Sequence, residues 1–336
     1  MFKAVRGWIR SNGMLTTVFW ATLIGGAVTV SQPSLSKISP YKIQPDLLVS
    51  LLADGQLLNI QSHGEGTATG RPFVSQWQSF ADLLRDSTAE SKTPTLTAAL
   101  DDLQLSFSHL AVRSLGLGLT YPDHQQETGV DQIVVFQKNA APTRLNDDMP
   151  FRDYLDYELE VSLLLHRTEP GVFGFMLHND FTDRMIQGME FVATDPEPSF
   201  SKAKSFAGAN AHGPIMAVGG DALWASLQAE LHWNESPVQT LDPQTNLLKP
   251  TDIHKLVFES KFAEGHDWIL IGSGTPSGTI FRAPTNIERA YYLSKALFRP
   301  AKAKELWVKS FDFTKAEDTL TFSSESLGTF QTRIVR

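Results

Sequence analysis

The chain has 336 residues, 42% of them hydrophobic, and a formal net charge of −8. That length and apolar content suit one large or two ordinary globular domains with real cores, while the acidic balance, with no sustained Lys/Arg run beyond the N-terminus, argues against nucleic acid, which needs a clustered positive surface. Cysteine is absent, so disulfides, thiolate nucleophiles and Cys-ligated zinc are excluded, and any metal must be held by oxygen or imidazole.

Lys3, Arg6 and Arg10 come first, followed by the apolar run MLTTVFWATLIGGAVTV from Met14 to Val30, and no acidic residue precedes Asp46. A basic stretch ahead of an apolar one is the pattern of an export segment, and its 17 residues lie at the lower edge of what crosses a bilayer. Residues 1–31 are therefore read as a signal peptide, cut near Gly25-Gly26-Ala27, or as an uncleaved membrane anchor. The positive charges direct the C-terminal bulk outward, so the body is expected to be exported, into the periplasm of a bacterium, and tied to the inner membrane where residues 14–30 are retained. Residues 32–112 form a linker and a small N-terminal α/β domain. Within it, SQPSLSKISPYKIQP is linker by its Pro and Ser content. LLVSLLADGQLLNIQS suggests two strands around an Asp54-Gly55 turn, and SFADLLRD and TPTLTAALDDL suggest short helical or capping segments.

Residues 113–336 show short apolar runs broken by Gly, Pro and Asn: LGLGLTYP, QIVVFQK, YELEVSLLLH, GVFGFMLHND, PIMAV, LQAELHWN, KLVFESKF and WILIGSGTP. Many strands with few long helices predict a β-rich α+β architecture that is not doubly wound. SESLGTFQTR reads as a final hairpin. IGSGTPSG lacks the Lys-Ser/Thr ending of a phosphate-binding loop.

The stretch LDYELEVSLLLHR places Glu158 and Glu160 on one face of a strand. Tyr157, Leu159, Val161, Leu163 and Leu165 fill the other face, and the glutamate face continues into Ser162 and Leu164, so neither face is plainly solvent. Two acids in a dry place demand a raised pKa, a basic partner or a cation. Asp180 ends the next apolar run, and three carboxylates converging from two strand ends suit Mg²⁺ or Mn²⁺, with Ca²⁺ a further oxygen-seeking candidate. Upstream, His124 and Glu127 have the spacing of one helical turn, and a carboxylate holding an imidazole makes a general base. A His-x-x-Glu pair alone is more often an exposed ion pair.

Taken together and in order, TYPDHQQE, VVFQK, DYELEV, HNDFTDRMIQ, KSFAGANAHGPIM and ILIGSGTPSG resemble the fumarylacetoacetate hydrolase family from about Leu115 to Gly278. The resemblance implies a mixed β-roll or sandwich of the C-terminal type of that family, a homodimer, and a divalent metal held by Glu158, Glu160 and Asp180. It implies a general-base dyad of His124 and Glu127 on a lid that orders when substrate binds, Lys204 near the metal to stabilise a developing oxyanion, and Gln187 and Thr275 as substrate contacts. Arg184 sits at the family's arginine position and reads as structural; Lys138 matches without an assigned role. The implied activity is metal-dependent hydrolysis of a C–C bond in a small-molecule 2-oxo acid or 1,3-dicarbonyl, such as an acylpyruvate, with decarboxylation, dehydration or isomerisation open to the same site. A non-catalytic exported binding protein is the rival from another class. Two departures stand out: Asp183 replaces the usual Ala, and Ala211-His212-Gly213-Pro214 replaces the usual Pro-Leu-Gly-Pro in a loop expected to shape the pocket.

Overall fold

The computed structural model describes residues 47–336 except 65, 74–76, 89–93 and 192–194. The export segment and linker lie outside the described residues. Among those described, no helix is long and apolar enough to cross a membrane.

The main strands are β1 (Leu47–Leu51), β2 (Leu57–Gly64), β3 (Thr67–Phe73), β4 (Leu96–Ala99), β5 (Val112–Gly118), β6 (Val134–Gln137), β7 (Leu159–His166), β8 (Phe173–Asp180), β9 (Asn210–His212), β10 (Met216–Gly219), β11 (Ala229–Trp233), β12 (Ser236–Leu241), β13 (Trp268–Gly272), β14 (Thr319–Ser324) and β15 (Gly328–Val335). Ten of them lie side by side in the order β4-β3-β2-β1-β10-β8-β7-β13-β5-β6, and β9 joins through β8. Neighbours on this path are antiparallel except β13 and β5, which run parallel. A second, five-stranded sheet has the order β12-β11-β14-β15 followed by Met149–Pro150.

Both faces of the large sheet are covered, which is why its central strands read as nearly unbroken apolar runs. Leu159, Val161, Leu163 and Leu165 of β7 face a core shared with Leu231, Leu241, Phe322 and Ile334 of the second sheet. Leu164, Met176, Met216 and Leu270 face the opposite way, onto Trp77, Phe80 and Leu83. The β-rich expectation holds, as do the strands flanking Asp54-Gly55, whose backbone turns at φ 84°, and the terminal hairpin of β14 and β15.

Two segments differ from expectation. TPTLTAALDDL contains β4, paired with β3, before a single 3₁₀ turn at Leu100–Asp102. KLVFESKF, expected as a strand, ends a helix. Its Ile253 and Val257, four apart, are both buried, Pro250 opens the first turn, and Asp252 caps the Lys249 backbone N–H at 3.1 Å. Those start signals precede the apolar run and turn it helical.

Eight helices are described: α1 (Phe80–Thr88), α2 (Pro122–Thr128), α3 (Arg184–Glu190), α4 (Glu197–Ala203), α5 (Asp221–Trp224), α6 (Pro250–Phe258), α7 (Asn286–Lys295) and α8 (Pro300–Val308). The last two fill the connection between β13 and β14, and α8 packs on both α3 and α7. Gly188 of α3 permits this approach, because a Cβ there would meet Val308 Cγ2 at 2.9 Å.

Candidate metal centre and pocket

The site grows from the pairing of β7 with β8, whose register sets Leu159 opposite Asn179 and Glu160 opposite His178. Glu158 lies one residue before β7. Its backbone N–H donates to Asn179 Oδ1 at 2.9 Å, and its carbonyl accepts from the Asp180 N–H at 3.0 Å. This clamp brings Glu158, Glu160 and Asp180 together, with one ligand atom from each within 4.8 Å of the others, and all three are buried.

Cations compensate two of these acids and leave the third. Lys204, at the end of α4, donates to Glu158 Oε2 at 2.5 Å and Asp180 Oδ2 at 2.8 Å, and Lys138 donates to Asp180 Oδ1 at 2.5 Å. Arg184 pairs with Asp156 at 2.6 Å and Glu158 at 2.7 Å. Both oxygens of Glu160, which is 0% exposed, have no hydrogen-bond partner. Asp156, Glu158, Glu160 and Asp180 thus face Lys138, Lys204 and Arg184, four negative groups against three positive.

The titration behaviour follows. Burial pushes the Glu160 carboxyl well above its usual range, and the Asp180 charge adds to it. Burial opposes ionisation of Glu158 and Asp180 as well, but Lys204 with Arg184 holds Glu158 low, and Lys138 with Lys204 holds Asp180 low. Lys204 is raised, its own desolvation outweighed by Asp180 and Glu158, whereas burial leaves Lys138 lowered. A buried carboxylate with two orphaned oxygens beside two ionised ones is a hard, all-oxygen donor set, and it fits a divalent cation of the Mg²⁺, Mn²⁺ or Ca²⁺ kind. Gly272 of β13 makes room for it: a Cβ there would lie 2.2 Å from Glu160 Oε2.

His124 and Glu127 share one turn of α2, with His124 Nδ1 2.9 Å from Glu127 Oε2. The carboxylate fixes Nδ1 as the protonated nitrogen and leaves Nε2 as acceptor. The helix is pinned rather than loose. Asp123 accepts from the Ser277 N–H and hydroxyl at 3.2 and 2.8 Å, and Glu127 accepts from the Gly278 N–H at 3.3 Å and the Thr279 hydroxyl at 3.4 Å. The segment the resemblance implies as a lid is therefore stitched to the loop that follows β13, because its two acids find donors there.

A cavity of about 170 Å³ adjoins both groups. Since a trapped water needs only about 10–15 Å³ on the same measure, this is ligand-sized space. His124, Glu158, Arg184, Gln187 and Thr275 line it. Gln187 Oε1 accepts from Arg184 Nη1 at 2.5 Å, and Thr275 Oγ1 accepts from Gln239 Nε2 at 2.9 Å. Lys204 and Glu160 lie in the cluster beneath, outside the cavity wall.

One neighbour of the cluster carried no motif signal. Gln239, from the second sheet, accepts from the Leu159 N–H at 2.8 Å and so ties the site to that sheet; only a partner list reveals it. His178 and His212 stack at 4.2 Å with an interplanar angle of 10° behind Glu160. His178 Nδ1 donates to the Ala211 carbonyl at 2.9 Å, which leaves Nε2 as an acceptor 3.9 Å from Glu160 and unable to neutralise it. His212 is held by Ser162 at 2.9 Å and Asn210 at 2.8 Å. Burial drives the pKa of both rings well below the usual value. The altered Ala211-His212 segment thus belongs to β9 behind the acids and not to the wall of this cavity. Asp183 caps α3, accepting from the Ile186 N–H at 3.1 Å, and pairs with Arg152 at 2.8 Å; its acid serves the helix end.

Fold and site define a β-rich scaffold whose buried carboxylates can hold a cation beneath a pocket. Residues 114–335 match the family described as fumarylacetoacetate (FAA) hydrolase C-terminal, and the chain belongs to that family. Curated proteins return no significant sequence match. Solved structures share the fold across 86% of this chain. A Mycobacterium smegmatis protein provisionally titled HpcE matches at 17% identity and a TM-score of 0.60 over 99% of its own length. The 2-hydroxyhepta-2,4-diene-1,7-dioate isomerase of Mycobacterium marinum matches at 15% and 0.53 over 98%. Fumarylacetoacetate hydrolase of Exiguobacterium antarcticum matches at 17% and 0.53 over 99%.

Proposed function

We propose that this protein is a divalent-metal-dependent hydrolase that cleaves a C–C bond in a 2-oxo acid or 1,3-dicarbonyl substrate of the acylpyruvate kind. The observation that carries the reading is Glu160, a buried carboxylate with two orphaned oxygens, packed against two ionised acids and beside a His–Glu dyad that borders a ligand-sized cavity. Glu158, Glu160 and Asp180 hold Mg²⁺ or Mn²⁺. The cation, when bound, supplies Lewis-acid polarisation of a substrate carbonyl.

The chain's own groups do the rest. His124 Nε2 takes a proton from water, and Glu127 steadies the imidazolium through Nδ1. The water oxygen adds to the carbonyl distal to the carboxylate. The C–C bond then breaks, giving a carboxylic acid and the enolate of pyruvate, which is protonated to pyruvate. Lys204, bonded to Glu158 and Asp180 beneath the cavity, favours negative charge developing on the substrate through the field of its ammonium and not by contact. Gln187 and Thr275 orient the substrate, while Arg184 holds Glu158 and Gln187 in place.

The basic and apolar N-terminus supports reading this as an exported enzyme, and the family resemblance supports reading it as a homodimer. Protease accessibility in spheroplasts checks the first and sedimentation-equilibrium mass checks the second; a shielded chain or a monomer refutes the respective reading. For the reaction itself, the full chain is incubated with acylpyruvates, oxaloacetate and 2-oxo-3-deoxy sugar acids, with Mg²⁺ or Mn²⁺ and with chelator. Metal-dependent release of pyruvate and an acid from an acylpyruvate supports hydrolysis. Silence across the panel from folded, metal-loaded protein favours a binding protein.

A further inference from the structure

The polar groups of the cavity are concentrated where it meets the dyad and the acids. Away from them its wall is made by Leu119, Phe191, Phe200, Phe281, Leu293 and Trp307. Much of that wall comes from the helical pair α7 and α8. Trp307 is locked by Tyr292 at 5.4 Å and Phe311 at 4.7 Å, and Phe311 is in turn locked by Phe281 at 5.3 Å. The aromatic wall is thus built as a unit and does not depend on a ligand to order it. A preformed apolar surface of this kind gains free energy only by covering apolar ligand area.

Resting on the reading above, we propose that the substrate carries an apolar tail of several carbons beyond its dicarbonyl head, and that this tail lies along the α7–α8 wall. A terminal carboxylate is the rival, because Arg289 and Lys304 line the cavity in addition to Arg184. Arg289 donates Nε to the Pro284 carbonyl at 3.1 Å, which anchors one edge of its guanidinium on the chain. Lys304 is held below its usual pKa by burial, and no acid is among the causes. Its four-carbon stem supplies apolar surface to the same wall.

The test is binding, which is separate from turnover. The Mn²⁺-loaded full chain is titrated with 2-oxobutanoate, 2-oxohexanoate and 2-oxooctanoate, which lack the second carbonyl, and with 2-oxoadipate. Kd is expected to fall about fourfold per added methylene, and 2-oxohexanoate is expected to bind more tightly than 2-oxoadipate. Ala303→Trp, which fills the wall from α8, is expected to abolish the dependence on tail length. A Kd independent of tail length, no binding by any of these acids, or tighter binding of 2-oxoadipate overturns the proposal, the last by making Lys304 an anion partner. If no dicarbonyl is cleaved while the tail dependence persists, the reaction falls and the tail assignment stands. If cleavage proceeds without tail dependence, only the tail assignment falls.

Discussion

Replacing Glu160 by Gln removes the ionisable acid that the cations leave uncompensated while keeping its shape. In the metal-free protein this changes four acids against three cations to three against three, and it replaces a carboxylate whose oxygens have no partner. Metal-free Glu160→Gln is therefore expected to melt at or above the wild-type temperature near pH 7, although the site is fully buried. The metal response should behave oppositely. At a metal concentration of 100 Kd, wild type gains about 2.7 kcal/mol, or roughly 5–10 °C at about 2–4 °C per kcal/mol. If losing one ligand weakens binding by about 100-fold, the same concentration equals one Kd and contributes only about 0.4 kcal/mol, roughly 1 °C. Differential scanning calorimetry of both proteins with Mn²⁺ and with chelator reads all four melting temperatures. A full metal-induced shift in Glu160→Gln, or a metal-free variant melting more than about 5 °C below wild type, would refute the charge argument.

Other outcomes follow from the same geometry. Gly272→Ala places a Cβ 2.2 Å from Glu160 Oε2, so it should weaken Mn²⁺ binding by at least tenfold in titration calorimetry; an unchanged Kd would show that the glycine does not shape the site. Because burial raises the Glu160 pKa, a proton on Glu160 competes with the metal at pH values below it. The Mn²⁺ Kd should fall up to about tenfold per pH unit until Glu160 ionises unaided; a Kd independent of pH contradicts this. A folded pKa above the unfolded 4.5 also means that the Glu160 contribution to stability is complete below 4.5 and is lost as pH rises through the folded pKa. Metal-free wild type should therefore lose stability relative to Glu160→Gln as pH rises over that window, and parallel pH profiles would dispose of the idea. The buried His178 and His212 act in the other direction. Their folded pKa values lie below the unfolded 6.5, so their contribution is present above pH 6.5 and is lost as pH falls, by up to about 1.4 kcal/mol per unit for each ring. In Glu160→Gln this acid loss should emerge in urea melts between pH 6.5 and 5, and a flat profile there would show that the rings charge in the folded state.

The acids were readable because a strand's period of two makes Glu158 and Glu160 share a face, and because the apolar residues on both faces left no solvent side for them. The dyad was readable from its three-residue spacing. What spacing could not supply was the compensation: Lys138, Lys204 and Arg184 reach the acids from three different segments, and their arrangement, which singles out Glu160, exists only in three dimensions. The helix at Pro250–Phe258 was misread because Leu256-Val257-Phe258 alone fits strand or helix, and the deciding signals lie upstream, at Pro250 and Asp252. The loop at Ala211-His212 was assigned to the pocket from its place after Lys204, whereas pairing with β8 draws it behind the acids. The α7–α8 wall had no motif to announce it. Its cavity-facing side is ordinary apolar helix surface until α3 and the cavity give it a neighbour.

Product analysis of an acylpyruvate incubated with Mn²⁺-loaded wild type and His124→Ala, side by side and with chelator controls, bears on the mechanism most directly. Wild type should release pyruvate and the acid in equal amounts only with metal, and His124→Ala should keep its Mn²⁺ while kcat falls by about 100-fold or more. Carbon dioxide or an isomer as the sole product would contradict hydrolysis. Undiminished kcat in metal-loaded His124→Ala would remove the dyad from the chemistry.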